Sequence, residues 1–472
     1  MKMKKYIKSV ILTAFSISLL TSCQTELDTF NENPNTPLTT TPSLLMAAME
    51  VSTFSTSTSG VIRTAGIFTQ HLAGTDVGQF GPVSRYIVTE QDVNNEWNNI
   101  YGTTLVSGYI LNRDFAKDYP YYNGIGQVLT AINLGYATDM WGDVPYDDAF
   151  KADVGNKAPK YNTQQEIYQK LQTILDDAIV NLNKPQASNL ETPGSDDFIF
   201  KGNTKQWIKI AYVLKARYAL RLTQVDSGAA QKALDYINAS GINSIADDAN
   251  TYFPGTANGW NQWFALNNGT RLNYLKVGKY FVDYLKNNSD PRLGSMIALT
   301  VRPANLPKDQ PFIPEYKGNA PEDQTSTGTS YIGPAYATST SSTGLVTYAE
   351  AKFIEAEAKA RLNQPAQAAL SEAVAASVLK ATGIAATPAF LATATATSDI
   401  ANIIQQKYIA LFLTMEPYND FRRTGFPVLT PNQNSQSKTI PVRLPTPSDE
   451  RQYNPNATVV SNVTTNVWWD KN

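Results

Sequence analysis

The segment Trp260-Asn261-Gln262-Trp263 sets two indole rings beside two amide side chains. Tyr252-Phe253 and Asn258-Gly259 precede it, and Asn267-Asn268-Gly269 follows. Flat rings offer stacking faces, and amides offer both donors and acceptors. Together they suit a ligand with apolar CH faces and a rim of hydroxyls, which describes a sugar. Tyr252, Trp260, Asn261, Gln262 and Trp263 form the first candidate contact set. Loops of this composition, carried on a folded body, tend to hold function. The competing reading is that Trp260 or Trp263 plugs the body, because Trp is usually well buried. A second candidate set, Trp97 and Tyr101, follows Asn94-Asn95-Glu96. Its spacing of four fits one face of a helix, which favours core packing.

Residues able to do covalent or metal chemistry are scarce. His71 is the only histidine and Cys23 the only cysteine. A Ser-His-Asp triad has one histidine to draw on, and a His-rich zinc site is excluded. The stretch Asp76-Val77-Gly78-Gln79-Phe80-Gly81-Pro82 is Gly-rich but lacks the Lys-Ser/Thr of a phosphate-binding loop. No nucleophile elbow or metal-ligand spacing competes with it. Paired carboxylates could serve glycoside hydrolysis, but among 41 acidic residues no pair stands out. From these residues no catalytic residue, cofactor or metal ligand is expected. Basic residues number 39, the net charge is −2, and no basic block occurs. Nucleic acid is therefore not an expected partner.

Cys23 has its own chemistry. Lys2, Lys4, Lys5 and Lys8 form a positive start, Val10 to Leu20 a short apolar run, and Leu20-Thr21-Ser22 leads into Cys23. This is the anatomy of a secretory signal. The run is too short to cross a bilayer, which needs about 20 apolar residues. Leu-x-Ser before a cysteine resembles the lipobox of bacterial lipoproteins, in which cleavage precedes the cysteine and its thiol carries the lipid. Several acyl chains on one residue give stable anchoring. Once Cys23 is lipidated, no thiol remains for a disulfide. Glu26 and Asp28 close behind it resemble a surface-export signal. Residues 24–42 are Asn-, Pro- and Thr-rich, the composition of an extended tether. The expected organisation is a signal peptide over 1–22, a lipidated tether over 23–42 and a single domain over 43–472.

Helices must position the candidate residues. Ile125, Leu129, Ile132 and Tyr136 fall on one helical face, as do Ile167, Leu171, Ile174, Ala178 and Leu182. Trp207, Ile210, Ala211, Leu214 and Tyr218 form a third stripe. Val346, Ala349, Phe353, Ala356 and Ala360 form a fourth, and Ile400, Ile404, Tyr408, Leu411 and Met415 a fifth. The mostly alanine face of the fourth lets helices approach closely. Successive helices with short links suggest a helical-repeat body, although no clean sequence period is present. Residues 251–345 and 425–472 are Gly-, Pro-, Asn- and Thr-rich and predict irregular structure with short strands.

Read in order, several segments carry a resemblance. They include Asn31-Glu32-Asn33-Pro34-Asn35, Met140-Trp141-Gly142-Asp143-Val144-Pro145-Tyr146 and Leu214-Lys215-Ala216-Arg217-Tyr218-Ala219-Leu220-Arg221. Asp290-Pro291-Arg292-Leu293, Tyr348-Ala349-Glu350-Ala351-Lys352-Phe353 and Arg422-Arg423-Thr424-Gly425-Phe426-Pro427 follow. This ordered set, behind a lipobox, resembles the SusD/RagB family of Bacteroidetes outer-membrane lipoproteins. The resemblance implies a mostly α fold, with tetratricopeptide-like helix pairs and an irregular, loop-rich, ligand-facing half with few strands. It implies a cell-surface nutrient-binding protein that captures a glycan, or sometimes a peptide, for a SusC-like TonB-dependent transporter. A carboxylate-based glycosidase and a structural or adhesion lipoprotein are the competing classes. Most of the matching residues also have structural readings: Gly142 to Pro145 as a helix-ending turn, and Arg217, Arg221, Arg422 and Arg423 as partners of carboxylates. Trp468 and Trp469 are expected to pin the C-terminus to the body.

Overall fold

The computed structural model describes residues 40–472 except 77, 270 and 326. The expected signal, Cys23 and nearly all of the tether lie outside the described residues. Helix α1 (Pro42–Thr56) opens the described chain, with Thr41 Oγ1 accepting from Leu44 N and a proline in its first turn. A side-chain acceptor at the N-cap and a proline at N1 are both strong helix starts. Helix α2 (Gly60–Phe68) follows directly.

Four long helices come next: α3 (Pro120–Trp141), α4 (Gln164–Leu182), α5 (Thr204–Arg221) and α6 (Ala229–Ser240). Their ends follow local chemistry. Thr163 and Glu166 cap α4 reciprocally, Asn203 caps α5, and Gly142 and Gly241 end α3 and α6 with positive φ, where glycine carries no Cβ penalty. Each helix packs on the next in sequence. The three stripes expected here are buried, except that Ile174 is half-buried and Leu175 takes the deeper position. Gly135 marks where α3 meets α5, since a Cβ there would collide with the Tyr218 hydroxyl.

The irregular half contains more helix than its composition suggests: α7 (Gln262–Asn268) and α8 (Lys279–Asn287). The helical body then resumes with α9 (Tyr348–Arg361), α10 (Gln367–Thr382), α11 (Ile400–Ala410) and α12 (Glu416–Thr424). Helix α9 packs on α6, α10 and α11. Its alanine-rich face meets Ala369, Leu370, Ala373 and Val374 of α10 around Phe353. Val346 is not part of that helical stripe. It sits in a strand, because Thr347 caps α9 and starts the helix at Tyr348.

Strands are short and occur as three antiparallel pairs. β1 (Leu72–Gly74) pairs with β5 (Leu275–Val277), β2 (Val144–Pro145) with β3 (Tyr161–Asn162), and β4 (Ala249–Asn250) with β6 (Gly344–Val346). Segment 425–472 carries no strand among the described residues. Isolated backbone bonds, Val442 N to Val463 O (2.8 Å) and Thr446 N to Val460 O (2.8 Å), hold it instead.

Two polar systems are buried in this body. Glu50 on α1 accepts from Phe198 N (2.7 Å), and burial and then Asp197 push its carboxyl up to about 10, so it is neutral at pH 7. Thr53 accepts from Asn133 Nδ2 (2.7 Å), and Ser52 accepts from Thr104 (2.8 Å) while donating to Asn99 O (3.2 Å). The second system joins α5, α9, α11 and α12. Arg217 grips Glu350 with two bonds of 2.6 Å, Arg221 donates to Glu416 (2.7 Å), and Lys407 pairs with Asp420 (2.9 Å). Arg423 binds Glu357 (2.8 Å) and Asp420 (2.7 Å). Arg217, Arg221 and Arg423 thus pair with carboxylates as expected, whereas Arg422 donates to the backbone oxygens of Asp139 (2.7 Å) and Val442 (2.9 Å) and to Asn419 Oδ1. His71 is a packing residue, fully buried against Tyr408, Phe281 and Phe412, and burial pushes it down to about 3. Trp469 is fully buried, with the Arg422 guanidinium 4.6 Å from its ring, which pins the C-terminus.

Candidate functional site

The first candidate set divides between interior and surface. Asn261 is the N-cap of α7: its Oδ1 accepts from Trp263 N (2.7 Å) and Phe264 N (3.0 Å), and its Nδ2 donates to Ser341 O (2.7 Å). Trp263 then points inward and is fully buried, with the Arg63 guanidinium 5.6 Å from its ring. Gln262 accepts from Arg63 Nη2 (2.9 Å) and donates to Ser55 Oγ (3.2 Å). These three residues hold the structure together. Trp260 and Tyr252 stay at the surface, 40% and 50% exposed. Trp260 meets Phe264 edge-on at 5.3 Å, and Tyr252 stacks on Phe198 at 5.9 Å.

The second set forms part of a larger aromatic wall. Residues 94–115 make one helical path in which α-helical turns (Asn94–Asn99, Val106–Ile110) alternate with wide π-helical turns (Ile100–Leu105, Leu111–Phe115). Wide turns rotate later side chains away from the 3.6-residue period. Tyr109 consequently faces the same cleft as Tyr101. Trp97 is buried, edge-on to Trp141 (5.1 Å), and stacks on Tyr101 at 4.4 Å and 24°. Tyr101 stacks in turn with Phe150 (6.1 Å), and Phe150 meets Tyr109 at 5.7 Å. Phe150 has a left-handed φ of 63°, a conformation that costs an L-residue about 1–2 kcal/mol. The wall holds it there.

These rings line an open cleft of about 620 Å³, with Arg113 and Glu450 at its edge. The Tyr101 hydroxyl donates inward to Pro145 O (2.9 Å), and burial raises it well above the ordinary tyrosine range. It is therefore neutral and presents its ring, not its oxygen, to the cleft. Arg113 pairs with Asp114 (2.6 Å) and Asp153 (3.2 Å), and its guanidinium lies 5.4 Å from the Tyr109 ring centroid. Hydrogen bonding to Asp114 raises its already high value. Glu450 accepts from Tyr161 (2.9 Å). The arrangement offers stacking faces with tethered charges at the rim, which suits reversible recognition of a ligand with flat apolar faces.

Sequence reasoning found Trp97 and Tyr101 but read their spacing as a packing signal. It missed Tyr109, Arg113, Phe150 and Glu450. Asn98 and Tyr109 are near in sequence, but no propensity rule announces a π-turn. Phe150 and Glu450 reach the cleft through tertiary folding alone.

Stacked helical hairpins bearing an aromatic-walled surface cleft define a helical-repeat binding protein. The chain belongs to the SusD-like family described as starch-binding and associating with the outer membrane, whose family model matches residues 34–447. Solved structures agree in fold. A SusD/RagB family protein from Bacteroides thetaiotaomicron is 25% identical with a TM-score of 0.75, over 92% of this chain and 99% of that one. A chitin-binding protein is 24% identical with a TM-score of 0.77, over 92% and 100%. A chitin-binding SusD homolog from Flavobacterium johnsoniae is 20% identical with a TM-score of 0.77, over 90% and 99%. No curated protein matches the chain. The expected mostly α, tetratricopeptide-like architecture is the one observed. Among the described residues no helix is long and apolar enough to cross a membrane.

Proposed function

We propose that the protein is a cell-surface lipoprotein, anchored through Cys23, that binds a glycan in the Tyr101–Tyr109–Phe150 cleft and passes it to a SusC-like TonB-dependent transporter. The cleft is the observation that carries this reading. It joins several aromatic rings to polar groups in a volume within the range of small-ligand sites. The family's description and the chitin-binding names among the structural neighbours support a carbohydrate as the ligand class. Binding without hydrolysis is the reading adopted, and both rim carboxylates, Asp153 and Glu450, are already held by neighbours. The exposed rings of Trp260 and Tyr252 form an alternative contact surface in this proposal.

Calorimetry against starch, chitin, xylan and mannan oligosaccharides, with peptides in the same panel, tests it. An aromatic stacking contact is worth about 0.5–1.5 kcal/mol, so Tyr109→Ala should weaken glycan binding by up to about tenfold. An unchanged affinity in Tyr109→Ala, with a loss in Trp260→Ala, would move the ligand to Trp260 and Tyr252. For the anchor, Cys23→Ala should abolish incorporation of a fatty-acid probe and release the protein from the membrane fraction. Equal labelling of variant and parent would remove the lipid from the account. Mild-detergent purification should recover one β-barrel protein alongside it.

A further inference from the structure

A second cleft, of about 410 Å³, opens where α4, α5 and α6 meet the C-terminal segment. It shares no lining residue with the first. Gln165, Gln169 and Gln172 come from one side of α4, the spacing that places three side chains on one helical face. Trp468 and Tyr236 bring half-buried rings to the same space. Leu222 and Val225 supply apolar surface.

The hydrogen-bonding state of the amides points to a ligand. Gln165 and Gln169 are exposed. Gln172 uses its Nε2 on Lys215 O (3.1 Å), while its Oε1 is buried with no partner. The exposed amides of Gln165 and Gln169 are the polar groups that a ligand in the cleft can reach, and each offers a donor and an acceptor. The charges nearby are matched. Lys232 pairs with Asp226 (2.8 Å), and Lys215 pairs with Asp176 while lying 4.6 Å from the Tyr236 ring centroid. Matched charges give an ionic ligand no net attraction. Trp468 is held in place by its neighbour Trp469, which is locked under Arg422.

We infer that this cleft is a second binding site for a neutral sugar, with Trp468 and Tyr236 supplying the stacking faces and Gln165 and Gln169 the polar rim. It lies where α4 meets α5. A chain with two such sites would hold a long glycan at two points. The inference extends the proposed function and rests on its ligand class, but not on its site.

The test titrates the full mature chain with maltoheptaose and chitohexaose by calorimetry. Three proteins are compared: the parent, Gln165→Ala/Gln169→Ala, and Tyr109→Ala. The two glutamines are exposed, so their replacement leaves folding intact. The parent should show two binding events for one of the probes. The glutamine variant should weaken one event by about tenfold or more, while Tyr109→Ala keeps that event and weakens the other by up to about tenfold. A single event, weakened in Tyr109→Ala and equal to the parent in the glutamine variant, overturns the second site and leaves the first standing. Absence of heat with either probe counts against both.

Discussion

Glu357→Ala should cost the fold about 3–5 kcal/mol, the scale of breaking one partner out of a buried ion pair. Glu357 is fully buried and receives Arg423 twice and Arg361 once, the last at 2.7 Å. Removing it leaves Arg423, itself 2% exposed, with Asp420 alone to balance a charge that burial penalises. Because α9 and α12 are joined through this pair, the loss should appear as one cooperative shift in a urea melt. Glu357→Gln keeps the hydrogen-bonding shape and should lose less. The penalty depends on pH in a defined direction. Burial opposes the Glu357 charge, yet Arg423 and then Arg361 outweigh it and hold the carboxyl below its ordinary value. A lowered value stabilises the fold above the unfolded-state pKa of about 4.3. The gap between parent and variant should therefore be full at neutral pH and close as acid protonates the folded carboxyl. A loss under about 1 kcal/mol at pH 7 would show that the cluster contributes little net stability.

Trp263→Ala and Trp260→Ala should differ sharply although the residues stand three apart. Trp263 is fully buried, and truncating such a ring costs about 3–5 kcal/mol through lost burial and the cavity left behind. Its Nε1 has no partner, so no lost hydrogen bond adds to that figure. Trp260 is 40% exposed and meets Phe264 edge-on. Its removal should cost about 1 kcal/mol or less, within the range of an aromatic pair. Thermal melts of the two variants decide this. Comparable melting losses would mean that Trp260 carries core packing. A near-native Trp263→Ala would mean that α7 is not held as the structure shows.

That contrast also marks how far the sequence could be read. The helical body was legible because burial on one face imposes a 3.6-residue period, and Trp207, Ile210, Ala211, Leu214 and Tyr218 all obey it. The pairing of Arg423 was legible from its position beside Asp420. The 260–263 segment misled because its composition resembles loop. A start signal was present: Asn261 caps a helix whose inward positions, Trp263 and Leu266, are three apart. The first cleft was legible only at Trp97 and Tyr101. Tyr109 joins them through π-turns that no residue preference encodes. Phe150 and Glu450 come from distant segments, and pairing across such distances leaves no local trace. Single-sequence periodicity resolves a helix and the face it buries, and stops at the juxtaposition of faces.

The buried polar side of α1 has a mechanical meaning. Any pull applied through the chain before Thr41 enters the body at this helix. There it is borne jointly by Glu50 on the 197–198 loop, Thr53 on α3, and Ser52 on Asn99 and Thr104. A load divided among three neighbours cannot strip the helix away one bond at a time. Asn99 and Thr104 belong to the same helical path that carries Tyr101 and Tyr109. A pull on the chain before Thr41 would thus reach, through the two Ser52 bonds, the helical path that forms the wall of the cleft.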